Sequence, residues 1–259
     1  MGFMDHLLEL RSRLWVCIIT MFVSMLLSLV FYKQLFDIVR YPLDKTNAFY
    51  KLKENSYAYE QLHLTPGTDI AAITNADPLG TMLMMVWIGV GVGLLLSSPI
   101  VFYQLWGFVA PGLKDNEKRA IQPVLYGGIL FFSFGAFIGY YILFQVSIDF
   151  FVWLDVDLKV RPLYTIEYYT SLLMNVMWVS GLACELPLVV GALARLRVIK
   201  PSHLTQYWRM CILMAFVLGA VLSPGTDVMS MMVFSFLFLG LYVASVVMAF
   251  FFYPRDVAV

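Results

Sequence analysis

LWVCIITMFVSMLLSLVFY, residues 14–32, holds no charge and no proline. About 20 apolar residues cross a hydrocarbon core of roughly 30 Å, so this stretch reads as a transmembrane helix. It exceeds the roughly 7–15 residues of a signal-peptide apolar region, and no A-x-A site follows it. It is therefore expected to stay as an anchor. With its boundaries set at 14–33 it is the first of six such runs, the others lying near 82–106, 122–145, 169–193, 210–222 and 229–252. The whole chain has the same character. Of its 259 residues 61 % are hydrophobic and 13 % charged, against about 45–50 % and 25 % in soluble domains. The formal net charge is +0, which gives no ground for a nucleic-acid partner. The fifth run is short: Arg209 precedes it and Ser223-Pro224-Gly225 ends it, leaving a helix of only about 20 Å.

Six spans place both ends of the chain on one side. The segments on that side hold Arg11, Arg13, Lys114, Lys118, Arg119, Arg195, Arg197, Lys200, Arg209 and Arg255, more than half of the 17 basic residues. The positive-inside rule makes that side the cytoplasm. The expected organisation is one polytopic membrane domain over 1–259. It has a cytoplasmic interfacial helix at 1–13, a long extracytoplasmic loop at 34–81, and cytoplasmic loops at 107–121 and 194–209. A second outer loop is expected at 146–168, and YKLKENSYAYEQL (50–62) could form one short helix within the first. Two small-residue steps, GAFIG (135–139) and IGVGVGLLL (88–96), mark close helix packing.

Three acids stand apart from the ordinary loop charges. In DHLLELRSRLW (5–15), Phe3, Leu7, Leu10 and Leu14 form one helical stripe, and Asp5, Glu9 and Ser12 fall opposite. Glu9 then sits at the membrane surface, either as a functional group or as a solvated acid paired with Arg13 one turn on. In FYQLWGFVAPGLKDNEKR (102–119), a span ends in interfacial aromatics and a Pro-Gly break. Glu117 is an acid among bases there, either a binding group or a solvated loop residue. Glu185 lies inside GLACELPLVV (181–190), ten residues before Arg195 and hence about 15 Å deep. An acid at that depth costs roughly 2.5–3.5 kcal/mol on insertion scales and defaults to function. Pro187 removes the backbone bond to the Ala183 carbonyl beside it.

Other chemistry is weakly represented. Cys17, Cys184 and Cys211 form no CxxC pair, and His6, His63 and His203 show no metal-ligand spacing. No P-loop, HExxH or Ser-His-Asp arrangement occurs, so no enzyme, metal or cofactor is expected.

HLLELRSRL (6–14), SSPIVFYQLWGFVAPGLKDNEKR (97–119), ELPLVVGALARLRVI (185–199) and SPGTDV (223–228), in this order, resemble the TatC family. That is the multi-spanning core of the twin-arginine protein translocase. The resemblance implies an all-α membrane protein, six transmembrane helices in a concave glove-like arrangement, the last two short. It implies an inner (plasma) membrane location and binding of folded cargo through a signal peptide carrying two adjacent arginines. It also implies single-span TatA and TatB partners, self-association in the lipid bilayer, and the proton motive force as energy source. Glu9 and Glu117 match the family's acidic patch for the arginine pair. Leu10 and Arg11 share the Glu9 motif, and Phe108 and Pro111 match apolar residues beside the loop. Glu185 matches an acid that meets a TatA-type helix, and Pro42 and Asp227 match further partner-contact positions. Two carboxylates suit two guanidiniums, whose planar forks bind them bidentately.

Several positions depart from the family. Phe144-Gln145 replaces Phe-Pro, Ser230-Met231 replaces Ser-Gln, and Leu241-Tyr242-Val243 lacks an acid. The last outer turn has one extra residue, and the loop after Pro42 is longer. Two other readings stand beside this one. A secondary transporter with Glu185 as proton or ion site would need a second intramembrane charge and paired broken helices. An inert scaffold would leave Glu9 and Glu117 replaceable.

Overall fold

The computed structural model describes residues 3–45, 72–74, 77–112, 115–161, 163–223 and 228–253. Six apolar helices dominate it. α1 spans Phe3–Val30 as one unbroken rod, so the amphipathic stretch and the first span are a single element. α2 (Tyr32–Lys45) follows at once, inside what reads as outer loop. β1 is Ala72–Thr74. The 50–62 stretch lies outside the described residues.

α3 (Pro78–Val109) begins with Asp77 accepting from the Leu79 amide at 3.0 Å and with Pro78 in its first turn. These are standard start signals. Pro99 lies inside α3 without breaking it. It leaves the Leu95 carbonyl without its helical donor, and the Ser98 hydroxyl takes that carbonyl at 2.8 Å. A single 3₁₀ turn, Ala110–Gly112, ends α3.

α4 (Asp115–Ile138) continues through a π-turn at Gly139–Leu143 into α5 (Phe144–Asp157). This corrects the expected loop at 146–168. Gln145 keeps the N–H that a proline would lack, and Ile148, Val152 and Val156 form a buried stripe at four-residue spacing. β2 (Leu163–Thr165) pairs in parallel with β1, Ile73 opposite Tyr164.

α6 (Ile166–Ala183) and α7 (Leu186–Arg195) are the two halves of the fourth span, broken at Cys184-Glu185. Pro187 follows Leu186, which has no hydroxyl to take the freed carbonyl as Ser98 does before Pro99. α8 is Pro201–Gln206 and α9 Trp208–Leu222. α9 has 15 residues and is short, as expected. α10 (Val228–Phe252) is not. Its 25 residues meet no proline or charge and reach about 37 Å, which corrects the expectation of two short final helices.

Glycines set the helix contacts. A Cβ on Gly93 would lie 3.0 Å from the Met25 backbone nitrogen, so α1 and α3 touch backbone to backbone. A Cβ on Gly135 would lie 2.5 Å from the Ser180 carbonyl oxygen, and Gly139 sits against the Ser180 hydroxyl, so GAFIG is the α4–α6 seam. Gly219 meets Ser235 where α9 packs on α10. These contacts make successive spans antiparallel. The start of α1, the end of α3, the start of α4, the end of α7 and the end of α10 share one end of the bundle.

At the opposite end α2 is clamped. Pro42 frees the Ile38 carbonyl, which accepts from the Tyr140 hydroxyl at 2.6 Å. The Val39 carbonyl accepts from Tyr169 at 2.9 Å. Tyr169 in turn meets Phe144 edge to face with centroids 5.1 Å apart. Phe144, Tyr169, Leu173, Val176 and Phe234 form the most deeply buried core.

Candidate functional site: an acidic bundle end and a midspan acid

Glu9 sits two turns into α1 on the face turned to the last turns of α3. Its Oε1 accepts from Arg13 Nη2 at 2.7 Å and from Nε at 3.0 Å. Arg13 Nη1 donates to the Gln104 side-chain oxygen at 3.3 Å. The guanidinium lies against Gly107, where a Cβ would come within 2.6 Å of Cζ. The i,i+4 pairing with Arg13, open from sequence, is therefore present. Glu9 is nonetheless about a quarter exposed, and both bonds end on one of its two oxygens.

The other expected signal-site residues collect at this same end. Leu10 is half-buried and Arg11 exposed on α1. Phe108 is half-buried in the last turn of α3, and Pro111 is exposed in the 3₁₀ turn. Glu117 falls in the first turn of α4, where the helix dipole favours an acid. Its side chain lies outside the described set. Gln104 and Gly107 were not singled out from sequence. They are 91 and 94 residues from Arg13, and only the α1–α3 packing brings them there.

Glu185 stands apart, at the break between α6 and α7 near the middle of the bundle. It packs on Gly128 of α4, where a Cβ would lie 3.3 Å from Oε2 and 3.0 Å from the Phe102 ring. Phe102 and Phe132 meet edge to face beside it. Oε1 is buried and has no hydrogen-bond partner among the described residues. An unsatisfied buried acceptor costs about 1–3 kcal/mol, so a fold that keeps one is strained locally. The remaining partner-contact expectations fare differently. Pro42 is fully buried inside this chain and has no surface to offer a partner helix. Asp227 lies outside the described residues.

Asp149 is a second acid inside an apolar helix, read from sequence as a loop residue. It lies 21 residues along the rod from Gly128, about 32 Å from the level of Glu185. That exceeds the roughly 15 Å half-thickness of a hydrocarbon core. The transporter reading gains no second midplane charge from it. Among the described residues no group of three His, Cys, Asp or Glu could hold a metal, and the three cysteines are unpaired.

The family of the Sec-independent protein translocase protein TatC matches residues 5–236. The chain belongs to the TatC family. It is a multi-pass membrane protein of that translocase family, not an enzyme. A TatC of Aquifex aeolicus is 30 % identical over 236 residues, covering 91 % of this chain and 90 % of that one. A Helicobacter pylori TatC is 30 % identical over 244 residues, covering 94 % and 87 %. A crystal structure of a twin-arginine translocase receptor TatC superposes with TM-score 0.75 at 29 % identity, covering 95 % of this chain and 98 % of that one. A second such structure, in the detergent DDM, gives 0.76. The glove-like six-helix arrangement is thus shared.

Proposed function

We propose that this chain is the receptor and core subunit of a twin-arginine translocase. It binds the arginine pair of a signal peptide at the end of the bundle formed by α1, α3 and α4, and nucleates export of the folded cargo driven by the proton motive force. One observation supports this most: Glu9 is held at that end by Arg13, which rests on Gln104 and Gly107 of α3, with Glu117 in the first turn of the next helix. Two acids there would take two guanidinium forks at the membrane surface. Leu10 and Phe108 would receive the apolar part of the signal, and Arg11 would face lipid headgroups or cargo. The basic residues at this same end support placing it on the cytoplasmic side.

Glu185 would serve a later step. Its buried Oε1, which has no hydrogen-bond partner among the described residues, suits a polar group carried by a partner's single transmembrane helix, of TatA or TatB type. Asp227 would act in the outer turn, and Pro42 indirectly, by setting where α2 stands. Self-association would bring several such subunits together in the inner membrane. Co-purification with a folded reporter tests the reading. A reporter with an Arg-Arg signal is retained and its Lys-Lys counterpart is not; equal retention of both refutes it.

A further inference from the structure

The neighbours of Glu9 bear on how a surface carboxylate could tell arginine from lysine. A free glutamate attracts both cations and wraps around either. Here the side chain is not free. Arg13 places two N–H groups on Oε1, at 2.7 and 3.0 Å. Arg13 is itself fixed by Gln104 at 3.3 Å and by Gly107, where a Cβ would overlap Nη1 and lie 2.9 Å from Nη2. Among the described residues Oε2 accepts nothing.

We infer that Arg13, seated on Gln104 and Gly107, is a positioning residue that makes Glu9 Oε2 a fixed acceptor and so favours arginine over lysine in the bound signal. This rests on the signal-binding reading above. The Glu9–Arg13 pair is formally neutral, so it draws a distant cation weakly. What it offers is an oxygen of set direction. A planar guanidinium gains from direction, whereas an ammonium is a hydrated point charge that gains little. Pinning Glu9 beforehand also removes the ordering of one long side chain from the binding step, a factor of about five to ten.

The test uses the full-length protein in lipid nanodiscs and fluorescence anisotropy of two labelled signal peptides, one Arg-Arg and one Lys-Lys. Arg13→Gln is expected to weaken Arg-Arg binding about five- to tenfold and Lys-Lys binding less, so the ratio between them shrinks. Gly107→Ala leaves every charge in place but pushes the guanidinium off α3, and is expected to shrink the ratio in the same direction. Gln104→Leu does so more mildly, and serves if Arg13→Gln does not fold. Tighter binding in these variants would make Arg13 a competitor and overturn the inference. So would an unchanged ratio, whether both peptides weaken equally or neither does. Glu9→Gln separates the two levels: if it binds the Arg-Arg peptide as the wild type does, the signal-binding reading itself fails.

Discussion

Gly135→Val acts on the seam that holds α4 against α6. A Cβ at 135 would stand 2.5 Å from the Ser180 carbonyl oxygen and 2.8 Å from both Cβ and Sγ of Cys184. Favourable contacts of this kind sit near 3.5 Å, and the nearest obstacle is backbone that cannot swing aside, so the helices must part by about 1 Å. Overpacking on this scale costs about 1–3 kcal/mol. For a chain of this size that lowers the melting temperature by about 2–12 °C. The parting also opens the crevice two turns away, where Glu185 rests on Gly128 along the same face of α4. Cys184 is buried against Gly135 and reports on it directly. In a background with Cys17→Ser and Cys211→Ser, the variant is expected to melt earlier in detergent and to label faster at Cys184 with a membrane-permeant maleimide. Gly135→Ala should show both effects more weakly. Wild-type melting together with wild-type labelling in Gly135→Val would refute the packing argument.

Three further outcomes follow from named contacts. Ser98→Ala strips the Leu95 carbonyl of the hydroxyl that replaces its lost donor beside Pro99, and should cost about 1 kcal/mol in thermal unfolding; no loss would mean that the carbonyl finds another partner. Tyr140→Phe should destabilise the wild type by about 1 kcal/mol but do less in a Pro42→Ala background, where a backbone N–H returns to Ile38; a double-mutant cycle with no coupling would contradict the clamp. Glu185→Ala should slow export of a folded reporter while leaving signal-peptide binding unchanged, and export at the wild-type rate would remove the midspan acid from the mechanism.

Much of this architecture is legible in the residues because lipid leaves few options. A backbone in hydrocarbon must close its own hydrogen bonds, so charge-free runs of sufficient length become helices. That logic recovers all six apolar helices, the short α9 and the glycine seams. The Glu9–Arg13 pair is visible at i,i+4, and the weakening at Pro187 is visible from its missing N–H. The continuation through α5 is hidden, because Asp149, Asp155 and Asp157 make it look like loop while its buried stripe is apparent only once α6 and α10 are in place. The clamp on Pro42 depends on tyrosines 102 and 130 residues from the carbonyls that they bind. Gln104 and Gly107 carry no chemical signature of their own, and matter only through where α3 lies. Likewise nothing in SPIV shows that Ser98 keeps its helix whole at Pro99 while LPLV, lacking a serine, breaks.

The central claim is that Glu9 and Glu117 face one arginine pair. Ser12→Cys, one turn from Glu9, and Asn116→Cys, next to Glu117, made separately in a background that keeps both acids and has the native cysteines replaced, can each be offered a signal peptide with a single cysteine next to its Arg-Arg pair. The account expects a disulfide from both positions, and neither when Arg-Arg is Lys-Lys. Crosslinking from one position only, or from both regardless of the arginines, would contradict it.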